Sequence, residues 1–268
     1  MNEPTSARVD GSASYFNAVA DTYWARYFED TPGGHAFRVR RQRLLEMMDG
    51  VGGNVLDVGC GPGVLVQDLL DRACEVWALD AAPEMIDQCR ARFRRVPEVH
   101  YCIGSATALA FPDDCFDAVV CLGVIDRIRN YDGAVREMLR VLKPGGKLFI
   151  AFPNLSSPYA TWRAFVFYPM LRLMSALRSF FTRQPHAPAL PPFVKLYRQR
   201  QARRFIESMG SASERVTYFN FNVLLSPLDD WFPRPAVWLA GRLERYRFGK
   251  LKWLGSGFIV QAVKRPQR

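Results

Sequence analysis

The chain has 268 residues, 49% of them apolar, which suits one large α/β domain with insertions and excludes a fibrous or disordered polymer. Residues 1–152 carry 17 Lys and Arg against 21 Asp and Glu, net −4, whereas residues 153–268 carry 19 against 5, net +14. A mildly acidic half joined to a strongly basic one implies an anionic partner or surface.

The opening MNEPTSARVDGSAS is polar and has no apolar h-region, so it reads as a frayed end and not as a signal peptide. SYFNAVADTYWARYF follows as a helical stretch rich in aromatics, and a second helix is predicted over 36–48, ending at Asp49-Gly50. Next come a strand NVLDVG, a helix VLVQDLLDRA, a strand EVWALD and a helix PEMIDQCRARF with Pro83 in its first turn. Strands VHYCIG and FDAVVCLG precede a helix DGAVREMLRVL, which stops at the breaker Lys143-Pro144-Gly145-Gly146 before a fifth strand, KLFIAF. Such alternation predicts an α/β fold, a doubly wound and mostly parallel sheet with helices on both faces. The six cysteines (60, 74, 89, 102, 115 and 121) form no CxxC pair and no metal-type spacing, which fits reduced thiols in the cytosol and no bound metal.

The stretch VLDVGCGPG joins the first strand to the first helix of the alternating series. A glycine-rich turn there lets a ligand approach the backbone, and the helix after it offers free N–H groups and a partial positive charge. Asp80 closes the next strand, where a carboxylate can accept hydrogen bonds from a ribose diol. The spacing is G-x-G-x-G, with Val64 where a dinucleotide fingerprint would place glycine. These features predict a nucleoside-bearing ligand across the carboxyl ends of the strands.

Together with WALDAAPEM, GSATALAFPDDCFDAVVCLGVIDRI and EMLRVLKPGGKLFI, this stretch resembles the class I S-adenosylmethionine-dependent methyltransferases. The similarity is to the small-molecule, type 11 branch typified by ubiquinone and menaquinone biosynthesis, and spans roughly residues 40–152. The resemblance implies a seven-stranded Rossmann-like methyltransferase fold with its last strand reversed, and S-adenosylmethionine as cofactor. It implies that Gly59, Cys60, Gly61 and Gly63 line the methionine portion, that Asp57 contacts its ammonium and that Asp80 holds the ribose. Ala81 and Met85 would pack on the adenine, and Leu122 would offer a carbonyl near the cofactor amine. The family's usual aspartate after the third strand is replaced here by Ser105-Ala106, a weaker neutral acceptor or a backbone contact.

Related sequences often carry histidines after the fourth strand; here Asp126 and Arg127 either face the acceptor as catalytic groups or cap the next helix. In the N-terminal segment Tyr15, Tyr23 and Arg38 either close over the cofactor as a lid, with the arginine on the methionine carboxylate, or pack a helix. Among the three histidines, His100 begins a strand, His186 lies in a proline-rich loop, and His35 sits where a lid would hinge and is the third catalytic candidate. A sulfonium already activates its methyl group, so a base is needed only if the acceptor must lose a proton.

Beyond residue 152 the expected elements are a helix over 193–209, a strand over 215–224, a helix over 235–247 and a last strand over 257–263. One domain is thus expected over 1–268: a helical lid (1–50), a cofactor core (51–152), an insertion (153–192) and the completion of the sheet (193–268). The insertion alternates aromatic and aliphatic residues with Arg163, Arg172, Arg178 and Arg183. Its apolar runs fall short of the ~20 residues a membrane span needs, so it reads either as an interfacial element on anionic lipid or as an oily lid. Both imply a hydrophobic small-molecule acceptor. The expectation is a cytoplasmic, peripherally membrane-associated methyltransferase acting on a lipophilic or amphipathic acceptor. An acidic carrier protein also fits the charge. The alternatives are a nucleic-acid methyltransferase, which the basic and aromatic clusters near 197–204 suggest, and an inactive cofactor-binding partner protein.

Overall fold

The computed structural model describes residues 11–182 and 195–266. Two helices come first, α1 (Gly11–Tyr23) and α2 (Pro32–Met47), joined through a 3-10 turn at Ala25–Tyr27. α2 starts earlier than its apolar period predicts because Thr31 caps it, accepting from the Gly34 N–H, with Pro32 in the first turn. β1 (Gly53–Val58), α3 (Val66–Leu70), β2 (Cys74–Asp80), α4 (Pro83–Phe93), β3 (Val99–Ile103), β4 (Phe116–Cys121), α5 (Tyr131–Val141) and β5 (Leu142–Pro153) follow. The insertion forms α6 (Pro158–Trp162), a π turn and α7 (Tyr168–Thr182). The chain ends with α8 (Gln199–Ser208), β6 (Ser211–Phe219), a short α9 (Leu228–Trp231), α10 (Pro233–Leu243) and β7 (Gly257–Lys264).

The seven strands form one sheet in the order β3-β2-β1-β4-β5-β7-β6, parallel except for β7, which runs antiparallel to both β5 and β6. Because side chains alternate along a strand, each central strand feeds two cores. Leu56, Val58, Ile150, Phe152 and Val260 join α5 and α8 on one face. Val55, Phe149, Ala151 and Ile259 join α2, α3 and α4 on the other. Both faces are therefore covered, which is why the central strands read as unbroken apolar runs.

Several expectations shift: the helices expected over 193–209 and 235–247 lie at Gln199–Ser208 and Pro233–Leu243. Residues 143–146 end α5 as predicted but are then taken into β5 as a bulge: Leu142 pairs with Phe116 and Lys147 with Ala118. The strand expected over 215–224 lies at Ser211–Phe219, and Asn220, in the left-handed region at φ 58°, turns the chain out of the sheet. His186 lies outside the described residues. Parallel strands place their carboxyl ends on one edge, and the loops after β1, β2, β3, β4 and β5 gather there.

Candidate active site

The loop after β1 is the floor of a cavity of about 530 Å³. Gly59, Gly61 and Gly63 all have positive φ (75°, 55° and 86°), a conformation that favours glycine. A Cβ on Gly61 would meet only Met85 Sδ and Tyr23 Cε1, both at 4.0 Å, so its backbone is bare toward the cavity. Asp80 pins this loop: its Oδ2 accepts from the Gly61 N–H and its Oδ1 from the Ala82 N–H, each at 2.9 Å. Burial pushes the Asp80 carboxyl up, and the backbone donors pull it back. Ala81, Met85, Ser105, Ala106 and Leu122 line the same cavity.

Asp57, one strand away, is 2% exposed, and its Oδ2 has no hydrogen-bond partner among the described residues. Burial, then repulsion by Asp80, pushes its carboxyl up to about 7. It opens on a void of about 20 Å³ shared with Arg40, Gly59, Cys60 and Leu122. Burial, helped by Cys89, Asp57 and Asp80, also raises the Cys60 thiol, which disfavours its thiolate form.

A second cavity, of about 460 Å³, shares Phe16, Tyr23, Gly123 and Arg127 with the first. Tyr15, Arg40, Asp126, Tyr159, Arg163 and Tyr168 complete much of its wall. Asp126 is buried, and desolvation raises its carboxyl against the pull of Arg127 and Arg40. Arg127 lies 5.4 Å over the Phe16 ring, and its Nε and Nη1 are buried without partners among the described residues. Arg163 donates from Nη1 to the Tyr159 hydroxyl at 2.8 Å, which donates to Asp229 Oδ2 at 2.6 Å; its Nε is likewise buried and unpaired among the described residues.

The profile of a family described as "Methyltransferase domain" matches residues 56–150, from β1 into β5. A ubiquinone biosynthesis O-methyltransferase of Xanthomonas oryzae pv. oryzae is 33% identical over 141 residues, 52% of this chain and 59% of that protein. The chain thus spans about six tenths of the length of that relative. A demethylmenaquinone methyltransferase of Renibacterium salmoninarum is 33% identical over 185 residues, 67% of this chain and 74% of the relative. The chain belongs to the class I S-adenosylmethionine-dependent methyltransferases, type 11 branch. The magnesium protoporphyrin IX methyltransferase of Synechocystis, solved with bound SAH, shares the fold at a TM-score of 0.58 and 15% identity, covering 94% of this chain and 97% of that one.

The cofactor of these methyltransferases is S-adenosylmethionine, and the residues present fit it. The bare Gly61 backbone leaves a cradle, and the buried Oδ2 of Asp57, unpartnered among the described residues, can receive a cation. Three methyltransferase site residues expected from sequence lie elsewhere. Gly63 packs under α4, where a Cβ would meet Cys89 Sγ at 2.6 Å and Phe93 at 3.1 Å; it serves helix packing and not the cavity wall. Arg38 donates from Nη1 to the Tyr27 and Glu29 carbonyls, at 3.0 and 2.6 Å, and so ties the connector between α1 and α2. His35 lines neither of the two cavities; burial and the neighbouring Arg38 and Arg43 push its imidazole toward the neutral form. Ser105 is exposed on the first cavity, with its Oγ 2.9 Å from Thr107 Oγ1.

Sequence reasoning passed over Arg40, Phe16, Tyr159 and Arg163. For Arg40 the signal was present: Gly33, Phe37 and Arg40 fall at i, i+4 and i+7, one face of a helix that starts at Pro32. Arg38 is two residues out of phase with that face.

Proposed function

We propose that the chain transfers the methyl group of S-adenosylmethionine to an amphipathic small-molecule acceptor held in the second cavity. The observation that carries this reading is the junction of the two cavities at Phe16, Tyr23, Gly123 and Arg127. Asp80 receives the ribose hydroxyls on lone pairs that its two backbone bonds leave open. Asp57 faces the methionine ammonium through the adjoining void, which at about 20 Å³ has room for one water. Arg40, shared between that void and the second cavity, is the residue for the methionine carboxylate. Ala81 and Met85 give the adenine a buried apolar wall, and Ser105 or the Ala106 backbone receives its amine.

When bound, the sulfonium supplies an activated methyl group, and the protein's task is alignment and exclusion of water. Tyr23 does both: it stands in both cavities and packs against Phe16, Tyr27 and Phe37. If the acceptor must lose a proton, Asp126 is the group to take it, because burial makes its carboxylate more basic than usual. Arg127 and Arg163, each with buried guanidinium nitrogen that has no partner among the described residues, suit a polar or acidic head group, while the aromatic walls suit an apolar body. An acceptor with a polar ring and an apolar tail, of the quinone type named for the two bacterial relatives, meets both demands.

The test has two steps. Calorimetric titration with SAH should give one site per chain. Mass spectrometry of lipid and small-molecule extracts incubated with the protein and S-adenosylmethionine should then show a species heavier by one methyl group. Tight SAH binding with no methylated product in lipid extracts, but with methyl incorporation into RNA, would overturn the acceptor assignment.

A further inference from the structure

α7 carries most of its large apolar residues on the side away from the protein. Met170, Leu173, Met174, Leu177, Phe180 and Phe181 recur at helical spacing, and all six are exposed, Phe180 and Phe181 to 78%. Tyr168, Leu171, Ser175 and Ser179 fall at the opposite phase and are half-buried. A helix packed by its oily stripe shows the reverse pattern. None of the residues of α7 is buried among the described residues, so the stripe is not part of a core.

The helix that bears the stripe begins at the second cavity. Tyr159, Arg163, Ala164 and Tyr168 line that cavity, and Tyr168 is the first residue of α7. Trp162 donates from Nε1 to the Ser226 carbonyl at 2.7 Å and Tyr159 bonds Asp229, which fixes α9 beside this stem. α9 presents Trp231 at 69% exposure, and Phe232 follows it at 55%. The insertion and the chain after it carry one sign of charge: residues 153–206 contain nine Lys and Arg and no Asp or Glu, against which α9 sets one exposed carboxylate, Asp230. A second copy would bring two such basic surfaces together, whereas an anionic lipid surface neutralises them. With 15 residues, α7 is about 22 Å long, and no helix among the described residues is long and apolar enough to cross a membrane. Its geometry suits lying in the headgroup boundary.

We propose that the exposed stripe of α7 docks on an anionic lipid bilayer, with Trp231 and Phe232 at its edge, so that the acceptor passes from the bilayer into the second cavity. The passage rests on the amphipathic-acceptor reading above; the docking requires neither cofactor nor acceptor.

The test is flotation of the full chain, without cofactor, with vesicles of equimolar phosphatidylcholine and phosphatidylglycerol, and with phosphatidylcholine alone. The wild type should float with the mixed vesicles, about tenfold less with the neutral ones, and less at high salt. The double variant Leu173→Asp/Phe180→Asp should partition at least about tenfold more weakly while keeping its melting temperature and SAH affinity. Wild-type protein left at the bottom of the gradient overturns docking, and so does a variant that floats equally well. A dimer that the variant dissociates, with no flotation of the wild type, overturns it in favour of a second copy. Intact flotation without SAH binding would instead sink the methyl-transfer reading and leave docking in place.

Discussion

β4 and α7 are both rich in apolar residues and end in opposite surroundings. In β4, FDAVVC, Phe116, Ala118, Val119, Val120 and Cys121 are all buried, shared between the two cores. In α7, YPMLRLMSALRSFFT, most of the large apolar side chains face outward. A strand between two parallel neighbours must bury both faces, whereas a helix at the end of an insertion has one face and nothing that obliges the domain to cover it. Hydrophobicity in the first region holds the fold together. In the second it is available to something else.

The largest effect that would sharpen this contrast is a cavity in the sheet. Phe149→Ala in β5 removes a side chain that is fully buried among α2-, α3- and α4-facing residues. It should cost about 3–5 kcal/mol in urea unfolding. A loss below about 1 kcal/mol would mean that this face is less tightly packed than a core of this kind should be.

The next effect is on the cofactor rather than on the fold. Asp80→Ala removes the acceptor for the Gly61 and Ala82 N–H groups and the proposed ribose partner at once. SAH affinity should fall about 100-fold by calorimetry, about 2.7 kcal/mol, with the sheet intact by circular dichroism. Unchanged affinity would remove the ribose assignment.

Where the two regions differ in burial they also differ in how far sequence alone could read them. The alternation of strands and helices between residues 51 and 152 was legible because period, caps and breakers agree there; PEMIDQCRARF coincides with α4 residue for residue. The glycine bend at Gly59 and Gly61 and its tie to Asp80 are legible because one strand–turn–helix pattern sets the loop, the helix start and the acidic strand end together. Gly63 departs from expectation because a glycine needed for close helix packing looks, in sequence, like one that admits a ligand. Arg40 is not legible beside Arg38 because spacing alone does not set the phase of α2; the Thr31 cap does. Arg163 and Tyr159 were beyond reach because they enter the second cavity from an insertion whose placement against α9 depends on contacts some seventy residues apart.

Asp57 tests the cost of the buried half directly. Its carboxyl titrates near 7, above the ordinary carboxyl value of about 4. A group raised on folding contributes stability in full below its unfolded value and loses it as pH rises through the folded one. Asp57→Asn should therefore leave the apo protein unchanged near pH 4 and stabilise it by on the order of 4 kcal/mol near pH 8. Thermal melts across that range check this. In the wild type, SAH affinity should rise as the pH passes 7, because the cofactor ammonium favours the ionised carboxylate; in the variant it should be weaker and flat. A pH-independent wild type would show that the ammonium lies elsewhere.

The smallest effect is the most telling for the contrast. Leu177→Ala sits in the middle of α7, where Leu177 is 49% exposed. Leu to Ala in a core costs about 2–5 kcal/mol. On an exposed helix face it should cost within about 0.5 kcal/mol, since alanine is the stronger helix former and little packing is lost. Equal melting temperatures for Leu177→Ala and wild type, set against a large loss for Phe149→Ala, would show that the domain does not need the oily stripe to fold. A loss above about 2 kcal/mol would show the stripe to be covered in solution by protein, either a second copy or another part of the same chain. The contrast between β4 and α7 would then be one of partner rather than of purpose.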